Sequence, residues 1–360
     1  MPELLVATLS AASGSGGTGQ ISLFKTDGAL TGVAEHATTK TVPHPSFAAW
    51  SARRSKLYVT SEIANGQGRV TAVSVSTAGL TAESHAATGG NAAVHISLDR
   101  RENFLFVANY QTQPEAGPLS IAIFSLEADG SVGRLTGHAE HDGHGPDRAR
   151  QQGPHCHFVS ISPDNRLLAA IDLGTDSLHF YRFDAANGTI ALAFHLKLPP
   201  GSGPRHAVFH PSRPLIYVTG ELASSLMSVS FDVHAQTAEL LASEPATARD
   251  TEVRNYPSGI SISPEGHCVL AANRGADTIA TFWTDPETGI ARLKSETDCG
   301  GAFPRAIRFD ATGRYLAVAN QKSDTVCVFG WDFASGQLSP RPILSWPVPA
   351  PLDVAFLQPE

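Results

Sequence analysis

The stretch YPSGISISPEGHCVLAANRGAD, residues 256–277, decides the fold: a polar anchor with Pro, an alternating apolar run, a tight turn, and a second run ending in polar residues. The phrase returns as FPRAIRFDATGRYLAVANQKSD at 303–324, PHCHFVSISPDNRLLAAIDLGTD at 154–176 and GPRHAVFHPSRPLIYVTGELASS at 203–225, with weaker copies from Pro45, Asn91 and Pro351. Within each copy the apolar residues alternate and are rich in β-branched and aromatic types, the pattern of strands rather than helices. The turns Pro163-Asp164-Asn165, Pro264-Glu265-Gly266 and Asp310-Ala311-Thr312-Gly313 carry residues that favour tight reversals.

Anchors at 45, 91, 154, 204, 257, 304 and 351 are separated by 46, 63, 50, 53, 47 and 47 residues. A period in that range predicts an array of supersecondary units. Four antiparallel strands per unit predict an all-β, seven-bladed β-propeller, one domain over residues 1–360. After Pro351 only one strand, Asp353 to Leu357, fits before Glu360. Leu4 to Thr8 and Gln20 to Lys25 read as the second and third strands of a blade. The ring is therefore expected to close with one C-terminal and three N-terminal strands sharing a blade, which removes free sheet edges. Ser13 to Gly19 reads as a loop.

With 42% hydrophobic and 17% charged residues the chain can bury an ample core. A net charge of -8 argues against a nucleic-acid partner, where a basic face is expected. No apolar run approaches the roughly 20 residues that span a bilayer. Met1-Pro2-Glu3 lacks the marks of a leader, so the start reads as mature protein. Cys156, Cys268, Cys299 and Cys327 are scattered without metal or disulfide spacing, which fits a cytoplasmic location. Nothing in the chain separates a monomer from a dimer.

Propeller geometry turns sequence position into location. The anchors and the ends of the second strands rise to the same mouth of the central channel, while the short turns face the other way. That mouth should gather Ser61-Glu62, Asn109-Tyr110, Asp172, Gly220-Glu221, Asn273-Arg274 and Asn320-Gln321 with His155, His157, Arg205, His206 and Arg305. Convergent ionisable groups in a channel form a plausible small-molecule site. The long interval owes its excess to residues 137–153, which include Arg150 and enter the same mouth; a lid or substrate wall is expected there.

Three phrases carry a resemblance. They are His141-x-Gly143 with Arg150-Gln151-x-x-Pro154-His155-x-His157 and Asp172-Leu173-Gly174-x-Asp176; Gly203-Pro204-Arg205-His206-x-x-Phe209-His210-Pro211 with Glu221-Leu222-x-Ser224-Ser225; and Asn273-Arg274-Gly275-x-Asp277 with Phe303-Pro304-Arg305 and Asn320-Gln321-Lys322-Ser323-Asp324. Over its whole length the chain resembles the seven-bladed propeller lactonase family, which includes 6-phosphogluconolactonases of the propeller type and carboxy-cis,cis-muconate cyclase. One departure is His44-Pro45-Ser46-Phe47, where relatives often have Asn-Pro-Ser and an aromatic. The resemblance implies catalytic roles for His157, Arg205, Glu221 and Arg274, with Arg305 competing for the last place. His155, His206, Arg305, Gln321 and Arg150 are expected to bind substrate. It implies no cofactor and no metal, and a small anionic lactone as partner, foremost 6-phospho-D-glucono-1,5-lactone; a carboxymuconate-type substrate and a non-catalytic binding propeller are the alternatives.

Lactone hydrolysis needs an activated water, support for an oxyanion and a proton for the leaving alkoxide. The expected roles are His157 as base, Glu221 orienting it or the water, and Arg205 with Arg274 holding the oxyanion or an anionic substituent; Glu221 as direct base stays open. Several blander readings compete. His138, His141 and His144 with Asp142 and Asp147 have the residue types of a metal site, but the Gly-rich segment does not put them on one face. A calcium-dependent lactonase would draw on Glu62, Asn109, Asp172 and Asn273. Strand alternation points Cys156 away from the side of His155 and His157, toward packing. Asp176, Asp277 and Asp324 recur at one blade position and read as structural turn contacts.

Overall fold

The computed structural model describes residues 4–10, 19–27, 31–63, 67–111, 117–250 and 252–357. Met1-Pro2-Glu3 and all of the expected Ser13–Gly19 loop except Gly19 lie outside them. Every regular element among the described residues is a strand. Blades are numbered here by the anchors from Pro45 onward. The innermost strands of blades 1 to 7 are Pro45–Ser51, the end of Gly79–Leu98, Cys156–Ile161, Pro204–Phe209, Tyr256–Ile262, Pro304–Phe309 and Pro351–Leu357.

Blade 7 is shared between the termini as expected. Pro351–Leu357 pairs antiparallel with Leu4–Ser10, followed outward by Gln20–Thr26 and Val33–Thr39. Blades 3, 4 and 5 are separate four-stranded sheets. Blades 1 and 2 are joined because the 20-residue strand Gly79–Leu98 forms the outer strand of one and the inner strand of the next. Blade 6 splits its outer strand into Gln337–Leu338 and Leu344–Pro347.

The short turns close as their residues predict. Asn165, Gly266 and Gly313 adopt φ of 62°, 79° and 68°, and their N–H groups donate to Ser162, Ser263 and Asp310 carbonyls. The recurrent Asp has a definite structural task. Asp176, Asp277 and Asp324 all sit at φ near 50° in the left-handed region. Their carboxylates accept backbone N–H groups from the connection into the next blade: Gly203 at 2.8 Å, Phe303 at 2.8 Å and Ala350 at 2.7 Å. One residue thus sets the handover from blade to blade.

The core lies between blades. Phe158, Ile171 and Phe180 of blade 3 pack against Phe209, Val218 and Met227 of blade 4, and the pattern repeats around the ring. The apolar side chains of each sheet face are buried against the neighbouring blade, worth about 25 cal/mol per Å² of surface removed from water. Cys156 belongs to such an inter-blade cluster, as its place in the alternation predicts.

Candidate active site

The mouth is organised around Glu221, which follows the second strand of blade 4, Leu215–Gly220. Its Oε2 accepts Arg205 Nη1 at 2.9 Å and Arg274 Nη2 at 2.8 Å, and its Oε1 accepts Arg150 Nη2 at 2.6 Å. Glu221, Arg205 and Arg274 are buried, at 3%, 4% and 7% exposure, whereas the Arg150 side chain is 37% exposed. Residues 140–153 therefore form a wall that delivers one guanidinium to the carboxylate. Gln151 pins that wall from beneath, donating to Leu173 O at 2.9 Å and Asp176 Oδ1 at 2.8 Å. Arg274 is further set by donating Nε–H to Tyr256 O at 3.0 Å and by lying over the Phe303 ring.

Burial by itself would raise the Glu221 pKa. The charges of the surrounding arginines, Arg205, Arg274 and Arg150, overcome it and hold the carboxyl well below the usual range. Burial, followed by the like charge of Arg274, brings Arg205 down to about 9, which leaves it cationic at neutral pH. His157 is buried, and burial together with Arg205 pulls its pKa well below that of a free imidazole, so the ring is neutral. Arg205 Nη1 donates to His157 Nε2. A guanidinium can only donate, so Nε2 holds the lone pair and Nδ1 the proton. That bears on the base role expected of His157: its only free lone pair is already occupied by Arg205.

The other expected residues divide between the mouth and its floor. Arg305 reaches the mouth and pairs with Glu62, Nη2 to Oε2 at 3.2 Å. His155 stacks on Tyr110 at 4.4 Å and donates Nδ1–H to its carbonyl at 2.7 Å, forming a side wall. Burial lowers its pKa. Gln321 follows the second strand of blade 6 and donates its backbone N–H to Phe303 O, while Lys322 lies over the Phe303 ring at 4.1 Å. His206 sits one layer down. With Phe47, His95 and Phe158 it forms a ring-packed floor, centroids 4.2–5.7 Å apart. Beneath this floor the channel widens into a cavity of about 480 Å³ whose lining includes Arg100, Ser160, Ser261 and the Arg308–Asp353 ion pair.

Several of the residues considered for metal have partners inside the blades. His141 turns into blade 3, where Nδ1 meets Asp172 Oδ2 at 2.6 Å and Nε2 meets Tyr181 OH at 3.0 Å, and it stacks on His179. Asp172 Oδ1 also accepts the His155 N–H, so this buried pair anchors the wall that leads to Arg150. Asn109 bonds Thr88 and Leu119, and Asn273 bonds Asn255, Ala246 and Thr278, all inside their own blade edges. Of the four oxygen donors proposed for an axial cation, only Glu62 faces the mouth. Asp172 thus differs from the expectation that it would face the mouth: its strand end is there, but its carboxylate turns into the blade to satisfy His141 and two backbone N–H groups. The His141–Asp172–Tyr181 chain gave no sequence signal, because its members come from two different strands and a loop.

The ion-paired groups of the mouth, four guanidiniums (Arg150, Arg205, Arg274, Arg305) against two carboxylates (Glu221, Glu62), carry a net charge of +2 between them. Fold and site together define a seven-bladed propeller with a cluster of buried ion-paired arginines at one mouth of its channel. Comparison with known proteins narrows the class: the chain belongs to the lactonase, seven-bladed β-propeller family, whose model matches residues 3–356, and it is a hydrolase of lactone esters. It is 29% identical to a 6-phosphogluconolactonase of Bacillus subtilis over 344 residues, 95% of each chain. It is 31% identical to a 6-phosphogluconolactonase of Formosa agariphila over 260 residues, 71% of each chain. Among solved structures, a periplasmic gluconolactonase of Pseudomonas aeruginosa superposes with a TM-score of 0.84 at 28% identity, covering 99% of each chain.

Proposed function

We propose that the chain hydrolyses 6-phospho-D-glucono-1,5-lactone to 6-phosphogluconate at this mouth. The observation that carries the reading is the cluster of arginines around Glu221, with its surplus of two positive charges, in a member of a lactonase family. A phosphate monoester bears close to two negative charges at neutral pH, and the guanidinium fork matches its oxygens. Arg150 and Arg305 are the solvent-reaching guanidiniums and take the phosphate. Arg205 and Arg274, preset by Glu221, supply N–H donors for the carbonyl oxygen as it becomes an oxyanion. Glu221 thus orders the cations, and His157 fixes Arg205 through Nε2.

The likeness to a periplasmic gluconolactonase favours unphosphorylated gluconolactone as a second reading. One assay separates them. Purified protein is mixed with fresh 6-phosphogluconolactone and, separately, gluconolactone, with and without chelator, and ring opening is followed above the spontaneous rate. Chelator-resistant turnover with a kcat/KM for the phosphorylated lactone at least tenfold higher is expected, in line with one charge-assisted contact of about 1.5–3 kcal/mol. Equal rates for both lactones would support the second reading, and no acceleration of either would move the chain to carboxymuconate-type substrates or to a non-catalytic binding role.

A further inference from the structure

We infer that Glu62 is the carboxylate that takes the proton from the attacking water, a catalytic residue facing Glu221 across the channel. The inference rests on the lactonase reading above and names the base that reading lacks.

Glu62 is the repeat counterpart of Glu221. Each follows the second strand of its blade, and each donates its backbone N–H to the residue just before the anchor Pro: Glu62 to His44 O at 2.9 Å, Glu221 to Gly203 O at 2.8 Å. Leu173 and Gln321 occupy the same place in blades 3 and 6, donating to His155 and Phe303 carbonyls. Blades 1 and 4 therefore aim a carboxylate into the mouth from far sides of the ring. Their surroundings differ. Glu221 is walled in, with both oxygens committed to three guanidiniums. Glu62 is open: its side chain is 37% exposed, Oε2 accepts Ser46 Oγ at 2.7 Å and Arg305 Nη2 at 3.2 Å, and Oε1 has no hydrogen bond among the described residues. A general base must offer a lone pair where water and substrate arrive. The Glu221 oxygens and His157 Nε2 are occupied by arginines, whereas Glu62 Oε1 is open on an exposed side chain. Ser46 and Arg305 hold the carboxylate in place without covering that oxygen, and the charges of Glu62 and Arg305 both act on Arg205, so the two halves of the mouth share one field.

The step balances on these groups. Glu62 accepts a proton from water as the water oxygen bonds to the lactone carbonyl carbon, and the carbonyl π electrons move to the oxygen beside Arg205 and Arg274. Collapse of the tetrahedral intermediate breaks the ring C–O bond. Glu62 returns its proton to the departing ring oxygen, and the product acid ionises to solvent.

The test compares wild type, Glu62→Gln and Glu62→Asp on 6-phosphogluconolactone and gluconolactone, recording kcat and KM at neutral pH and the melting temperature of each protein. Gln keeps an acceptor for Ser46 and Arg305, so the variant should melt with the wild type. The expected result is a fall in kcat of about 10²–10⁴-fold for Glu62→Gln with KM little changed, and partial recovery of kcat in Glu62→Asp. An active wild type with a Glu62→Gln variant that keeps its kcat, or changes only KM, would overturn the assignment while leaving the lactonase reading intact. A wild type inert on both lactones would overturn the reading itself, and the assignment with it. Should Glu62→Gln melt early, the Asp variant decides: unaltered kcat there counts against Glu62.

Discussion

Replacing Glu221 by Gln removes the one negative charge shared by Arg150, Arg205 and Arg274 while keeping the shape of the side chain. Two of the three arginines stay buried, and the neutral amide leaves them without a counter-charge. Breaking a buried pair by deleting one partner costs about 3–5 kcal/mol. An unfolding entropy of about 2.1 cal/mol/K per residue over this length converts that to a fall in melting temperature of roughly 4–7 °C at pH 7.

The pH dependence supplies an independent check. Because the folded-state pKa of Glu221 is depressed, its stabilisation is complete above the unfolded carboxylate value of about 4.3 and is lost as pH falls from there toward the folded value. The gap between wild type and E221Q should therefore be full at neutral pH and narrow below about pH 4. Calorimetric or fluorescence melts across that range measure it. Inorganic phosphate should also raise the E221Q melting temperature more than the wild type's, because an anion can occupy the vacated charge site. A variant melting within about 1 °C of wild type at pH 7, or a gap that stays constant down to about pH 3, would refute the account of the cluster as a net-coupled clamp.

Arg150→Ala should raise KM for the phosphorylated lactone about tenfold or more, change the unphosphorylated one little and leave the melting temperature near wild type, since the side chain is the exposed member of the cluster; equal losses on both lactones would point to the chemical step instead. The four cysteines are buried and free, and burial raises the Cys156 thiol well above its ordinary pKa, so a disulfide thiol reagent should label none of them in the native protein, and Cys156→Ala should stay active. Removing residues 351–360 should abolish activity, with partial recovery on adding a peptide of residues 351–357, because the missing inner strand exposes the edge of Leu4–Ser10; a truncated chain of unchanged activity would contradict the role given to ring closure.

Much of this was legible in the sequence, for a physical reason. Period-two alternation and turn chemistry are local, and a repeat displays them several times over, so strand ends such as Asn273-Arg274 and anchors such as Pro204-Arg205 could be placed at one mouth before any contact was known. The shared blade was legible because Leu4 to Thr8 resembles the second strand of the other blades and Asp353 to Leu357 resembles a first. Side-chain direction was less so. Asp172 and Glu221 both stand at or just after second-strand ends, yet one turns into its blade to meet His141 and the other into the channel to meet arginines. That choice depends on partners supplied from other segments, Arg150 and His141 among them, both carried by the one irregular connection in the repeat. The continuity of Gly79–Leu98 was hidden as well, because Gly89-Gly90-Asn91 looks like a break and serves instead as a bend within one strand.

The pair formed by Glu62 and Arg305 shows why ring closure matters for chemistry and not only for stability. Its members lie 243 residues apart, in blades 1 and 6, and blade 7 stands between them. Blade 7 is the blade that no continuous segment builds: its inner strand comes from the end of the chain and the other three from the beginning. Its own contribution near the axis is Asp353, which is fully buried and bonds Arg308 of blade 6 at 2.8 Å and the Ala48 N–H of blade 1 at 2.9 Å. One carboxylate of the closing strand thus ties the inner strands of the two flanking blades together, on the floor side of the same gap that Glu62 and Arg305 bridge at the mouth. Any loosening of the terminal pairing acts at both levels at once, widening the gap at Asp353 and separating Glu62 from the cation that holds it. The carboxylate aimed from blade 4 has no such dependence, since Arg205, Arg150 and Arg274 reach it from its own blade, the connection before blade 3, and blade 5. The mouth therefore has one half fixed by continuous chain and one half fixed by closure, and the open carboxylate lies in the second.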